Sequence, residues 1–181
     1  MREVPFFITE YKARNPAGKP RQRVGIVKEA GTIKVTSKPI KKVSMIVAML
    51  YGLLDEFTQE AYYVVSLDAA RRVIGVHMAT MGTLTTALVH PREVFKVAIA
   101  LDARYVITVH NHPSGNPAPS SNDLHLAERI DRAGQVIGIG VIDHLIIGQG
   151  MNLWYSTRTQ YIHPVGSDCK AAGTEAIGDL T

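Results

Sequence analysis

The sequence predicts an α/β protein, because strand-patterned and helix-patterned stretches alternate along the chain. Three observations carry this. Residues 61–78 read as two β-rich runs around a polar turn, the pattern of a hairpin. Tyr105–Val109 is short, β-branched and almost wholly apolar, as expected of a strand buried on both faces. Stretches near 43–54, 91–101 and 120–134 repeat apolar residues at helical spacing.

In chain order, residues 1–40 read as a separate, basic, mostly extended segment. Val4–Thr9 and Arg23–Val27 are expected as short strands on either side of the loop Asn15–Pro20, with a third strand at Thr32–Thr36. Pro39 stands where a helix would begin, and Val43, Ile46, Val47, Leu50 and Leu54 give that helix one apolar face. Asp55–Gln59 end it. Ala61–Leu67 and Arg72–Met78 are the hairpin strands, turning at Asp68–Arg71, and Met81–Leu84 link onward. Pro91 opens the next helix, with Val94, Val97, Ala98 and Leu101 on one side. After Tyr105–Val109, the run Pro113–Pro117 must turn. A helix then starts at Ser120 or Ser121 and runs through Leu124, Leu126, Ala127 and Ile130 to Ala133–Gly134. Gln135–Val141, His144–Ile147 and Asn152–Ser156 read as the last strands, with Asp143 and His144 between two of them. This divides the chain into the extended segment 1–40, a main domain at 41–156 and a tail of low order at 157–181.

Composition narrows the class. The 181 residues fit one ordinary domain, and 46% hydrophobic content is enough for a full core. The single cysteine excludes an internal disulfide framework and a cysteine-rich metal cluster, which suits a reducing cytoplasm. No signal-peptide pattern opens the chain, and the apolar run Val43–Leu54 is too short to span a bilayer, so a membrane role is not expected. The net charge of +4 is concentrated early, in Arg2, Lys12, Arg14, Lys19, Arg21, Arg23, Lys28 and the lysines that follow. Such a segment can meet nucleic-acid phosphates, but without interleaved aromatics its ordinary reading is a solvated surface.

The strongest signal is one stretch: His110-Asn111-His112, seven residues, Ser120, two residues, Asp123. Histidines two apart on a strand project to the same face. A carboxylate from the first turn of the following helix can complete a three-ligand set with an open position, the arrangement of a catalytic rather than a structural metal site. Nitrogen-rich ligation favours zinc over magnesium or calcium. Ser120 can cap the helix or face a water at the metal. Asp143 is a candidate partner for a ligating histidine. His77 and His125 read as surface or satisfied core residues, and His163 lies in the tail.

This spacing resembles the signature of the JAMM (JAB/MPN+) metalloprotease superfamily. His90-Pro91-Arg92-Glu93, His110 through Gly115, and Asp143-His144 followed by Ile146-Ile147-Gly148 are similar in order and spacing to its RadC branch. The resemblance runs from about Glu60 to Tyr155. It implies a mixed sheet flanked by helices with a JAB/MPN-like (cytidine-deaminase-like) core, one catalytic zinc held by His110, His112 and Asp123, and hydrolysis of peptide or isopeptide bonds in a peptide or protein substrate. It also implies a glutamate general base at the start of an early strand, the position that Glu60 occupies. Ser120 would then stabilise the developing oxyanion. Glu93 is the rival base, although its ordinary reading is favourable charge at a helix N-terminus. The RadC branch is historically tied to DNA repair, which leaves a nucleic-acid-associated factor as an alternative. A non-catalytic metal-binding interaction module is another. Full-length members carry a helix-hairpin-helix-type module that residues 1–40 do not resemble, so the likeness is to a short form lacking it.

Overall fold

The structure, a computed structural model, describes residues 1–14, 22–54, 58–82 and 89–166. Its elements in order are β1 (Arg2–Arg14), β2 (Gln22–Val35), α1 (Ser44–Leu54), β3 (Ala61–Leu67), β4 (Val73–Met81), α2 (Pro91–Ala100), β5 (Tyr105–His112), α3 (Ser121–Ile137), β6 (Gly140–Gly148), β7 (Leu153–Ser156) and β8 (Tyr161–Pro164). All the strands join one sheet in the order β2-β1-β4-β3-β5-β6-β7-β8. The sheet is mixed: β1 runs parallel to β4 and β5 parallel to β6, while the other neighbours are antiparallel.

Strand β3 is buried along its whole length, and its period of two splits it between two cores. Tyr63, Val65 and Leu67 pack with Ile46, Leu50 and Leu54 of α1 and with Ile107, Val109, Leu145 and Trp154. Tyr62 and Val64 pack with Val94, Phe95 and Ala98 of α2 and with Leu126 and Ile130 of α3. Helices therefore cover both faces, the α/β arrangement expected, and each central strand needs apolar residues on both sides. Among the described residues no helix is long and apolar enough to cross a membrane.

The helix ends follow local chemistry. His90 is the N-cap of α2: its Nδ1 accepts from the Arg92 N–H at 3.2 Å, Pro91 sits at the first position and Glu93 lies in the first turn. Ser120 caps α3 in a full capping box with Asp123, and Gly138 closes the helix in the left-handed conformation at φ 82.

Several boundaries differ from the sequence reading. Helix α1 begins at Ser44 rather than near Pro39: the Ile40 N–H bonds Arg71 O at 2.8 Å, and the first helical bond runs from the Val47 N–H to Val43 O at 3.2 Å. The strands expected at Arg23–Val27 and Thr32–Thr36 are one continuous strand, β2, paired along β1 with a register shift at Phe6/Phe7. Gln135–Ile137, expected in a strand, form the last turn of α3, because the left-handed stop comes at Gly138. Asp143 and His144 do not separate two strands but lie inside β6. A buried strand can hold Asp143 because its oxygens accept from Ser156 Oγ (2.6 Å), the His144 N–H (2.7 Å), Thr157 Oγ1 and the Arg158 N–H (both 3.2 Å). β1 joins the sheet beside β4 at Phe6–Ile8, and β8 pairs with β7 within the stretch expected as a tail. The expected loop Asn15–Pro20 and the link Thr83–Leu84 lie outside the described residues, as do most of the tail and part of the turn after α1.

Candidate metal centre

The site lies at the C-terminal end of β5, where the chain leaves the sheet to enter α3 and return as the parallel neighbour β6. Crevices at such strand ends are where open α/β sheets bind ligands. Alternation on β5 sends His110 and His112 to the α3 side, as the spacing requires. Asp123 faces them from the first turn of α3. One ligand atom from each of the three residues lies within 4.8 Å of the others. His110 Nε2 is 3.4 Å and His112 Nε2 3.5 Å from the two carboxylate oxygens of Asp123.

The donor set suits a cation. His112 Nδ1 is 2.8 Å from the carbonyl oxygen of Asn116, which can only accept, so Nδ1 carries the proton and Nε2 turns its lone pair inward. The two Nε2 atoms are 3.1 Å apart beside one carboxylate. That crowding calls for positive charge among them, either a shared proton or a divalent ion. Burial disfavours ionisation of Asp123, but hydrogen bonds with His110 and His112 outweigh it and hold its carboxyl well below the usual range. Burial pushes His110 down. On His112 burial acts the same way, yet Asp123 and the Asn116 carbonyl together raise it.

Ser120 takes the capping role. Its Oγ accepts from the Asp123 N–H at 3.2 Å and donates to Asp123 Oδ2 at 2.6 Å, so it caps the helix and orients the Asp123 carboxylate. Glu60 directly precedes β3, and its carboxylate adds a small upward effect on both His110 and His112, behind burial and Asp123. Glu93 is engaged elsewhere, bonded to Arg92 Nε at 3.3 Å and to Lys96 Nζ in the first turns of α2.

Asp143 does not serve a ligating histidine; the partner of His112 is the Asn116 carbonyl, inside the turn. Its neighbour His144 bonds Thr108 Oγ1 at 2.7 Å and Asp131 at 3.1 Å, which ties α3 to the sheet. His77 and His163 are both buried, His163 stacked on Trp154 with ring centroids 4.5 Å apart. Sequence reasoning missed Tyr62, whose ring stacks on His110 at 5.7 Å and 13°. It also missed Asn111, which is fully buried. The only sequence signal for either is its place: Tyr62 two residues after Glu60, and Asn111 between the two histidines.

Residues 40–162 match the family described as RadC-like JAB domain. The chain is 42% identical over 123 residues to a UPF0758 protein of Symbiobacterium thermophilum, covering 65% of this chain and 53% of that one. A UPF0758 protein of Clostridium beijerinckii is 40% identical over 125 residues, covering 68% and 55%. One from Caldanaerobacter subterraneus is 39% identical over 116 residues, covering 64% and 50%. The chain thus spans about half the length of these curated relatives.

Proposed function

Because the chain belongs to the RadC-like JAB domain family, we propose that it is a zinc-dependent hydrolase of amide bonds, acting on peptide or isopeptide linkages. One observation carries this reading. Two histidines and a carboxylate converge on a single point, and the charge of Glu60 acts on both histidines.

His110, His112 and Asp123 would hold the ion. Two imidazole nitrogens with one carboxylate favour zinc over harder cations. When bound, zinc supplies Lewis acidity toward a carbonyl and brings the acidity of water into the neutral range. The residues of this chain do the rest. Glu60 takes a proton and passes it to the leaving amine. Ser120, whose one hydroxyl proton goes to Asp123 Oδ2 in the free site, would turn that proton to the oxyanion that develops on the substrate. Tyr62 excludes water from one face of His110 and keeps its ring from turning.

A panel of peptide and isopeptide substrates, assayed with the zinc-loaded protein and its Glu60→Gln variant, tests this. Turnover by the wild type should fall at least about 100-fold in the variant, the lower end of what general acid–base catalysis contributes, while zinc stays bound. Turnover that survives Glu60→Gln would remove the base.

A further inference from the structure

We propose that Asn111, between the two histidines, is the positioning residue that fixes Glu60 relative to the metal ligands. The inference rests on the reading of Glu60 as the proton acceptor and adds what holds it in place.

The antiparallel ladder between β3 and β5 runs from Leu67↔Tyr105 to Tyr62↔His110. One residue further along β5, a side chain takes over from the main chain. Asn111 Oδ1 accepts from the Ala61 N–H at 2.7 Å, and Asn111 Nδ2 donates to the Gln59 carbonyl at 3.1 Å. A carboxamide has the same donor and acceptor as a peptide group, so it can continue a ladder that the backbone has left. The residues it grips are the two neighbours of Glu60. The Glu60 carbonyl itself accepts from the Gly82 N–H at 2.8 Å. Three hydrogen bonds, two of them from one side chain, therefore fix the main chain at and on either side of Glu60.

Alternation on β5 makes this possible. His110 and His112 go to the α3 side, and the residue between them must go to the other. There the Asn111 side chain is completely buried; its bond to Ala61 is sealed from water, and its bond to Gln59 is part-buried. The ligands and the clamp on the base are consecutive residues of one strand, so any shift of β5 carries both together. Few other side chains fit. Aspartate accepts but cannot donate to the Gln59 carbonyl, alanine does neither, and serine has a single hydroxyl for two partners. A buried asparagine could instead serve stability alone, since unpaired backbone groups cost free energy wherever they occur. The test must separate these roles.

Co2+ is the probe, because its visible absorption reports the surroundings of the ion without a substrate. Wild type, Glu60→Gln, Asn111→Ala and the double variant would each be loaded with Co2+. Spectrum, stoichiometry, affinity and Tm would be measured for each. The expected result is that Asn111→Ala keeps one Co2+ per chain and binds it less than about tenfold more weakly, below the usual cost of losing a ligand's own partner. Its spectrum should move in the same direction as that of Glu60→Gln, and the double variant should match Glu60→Gln alone. Asn111→Ser, which keeps one of the two bonds, should fall between wild type and Asn111→Ala, and it replaces the alanine variant if that one does not fold. A wild-type spectrum for the Asn111 variants, with Tm lowered, would overturn the inference and leave a purely structural residue. If Glu60→Gln leaves the spectrum unchanged, the assignment of Glu60 fails first and this inference falls with it.

Discussion

At the scale of single residues, the buried histidines show how differently one side chain can be used. His110 and His112 are pushed in opposite directions although they are two residues apart: burial prevails over Asp123 at His110, while at the less buried His112 Asp123 and the Asn116 carbonyl prevail over burial. His77 has no such help. It lies 1% exposed on β4, bonded through Nε2 to Thr9 Oγ1 at 2.8 Å, with no partner for Nδ1 among the described residues. Burial and then the Lys96 charge bring its pKa down to about 4, against a smaller opposing effect of Glu93. The sign follows directly. Below about pH 6.5 the unfolded chain protonates this imidazole while the folded chain resists until about 4, so stability is present at neutral pH and is lost as pH falls through that window. The full loss from this one group is on the order of 3 kcal/mol. Urea unfolding between pH 7.5 and 4, compared with His77→Asn, should show a shallower acid decline in the variant. Parallel declines would mean that His77 is not the group responsible.

At the scale of elements, the site depends on how β5, α3 and the turn between them are held. Ser120 and Asp123 form the capping box of α3, so the contacts that begin the helix also orient the Asp123 carboxylate toward His110 and His112. Asp131, two turns along, is gripped by His144 and by Arg158 at 2.8 Å, which fixes the helix against β6. The turn after His112 is set by Gly148 at the end of β6. A Cβ there would run into the carbonyl oxygen of Gly115, leaving no room for the turn where it now lies. That turn supplies the Asn116 carbonyl behind His112. Gly148→Ala should therefore lower affinity for zinc by about 10–100-fold, the usual effect of losing a ligand's outer partner, with the three ligands untouched. Unchanged affinity in chelator competition would show that the turn adapts without moving Asn116.

At the scale of the whole molecule, the sheet is a rigid frame covered on both faces, and the centre sits at one end of it. Two nitrogen ligands and a carboxylate held this close repel one another unless a cation joins them, so metal binding should stabilise the fold. Zinc at 100 times its Kd should add about 2.7 kcal/mol and raise Tm. A His110→Ala, His112→Ala double variant should bind no zinc and show no such rise. Elemental analysis beside thermal unfolding checks both. An equal rise in the double variant would place the zinc elsewhere.

Much of this was legible in the sequence, for a physical reason. Helix and strand periods are local properties, so the hairpin at 61–78, the buried strand Tyr105–Val109 and the helices after Pro91 and Ser120 could be read directly. The clustering of His110, His112 and Asp123 was legible too, because the three residues lie within one strand–turn–helix unit, where geometry follows from alternation and capping. The sequence also placed Glu60 directly before a strand, but its nearness to the histidines depends on β3 lying beside β5, a pairing across some fifty residues. The roles of Asn111, Tyr62 and the Asn116 carbonyl, the partners of Asp143, the burial of His77 and His163, and the union of β1 and β8 with the central sheet are contacts between distant segments. Only the packed tertiary structure decides these, because burial and hydrogen-bond satisfaction are settled by what lies opposite a residue in space.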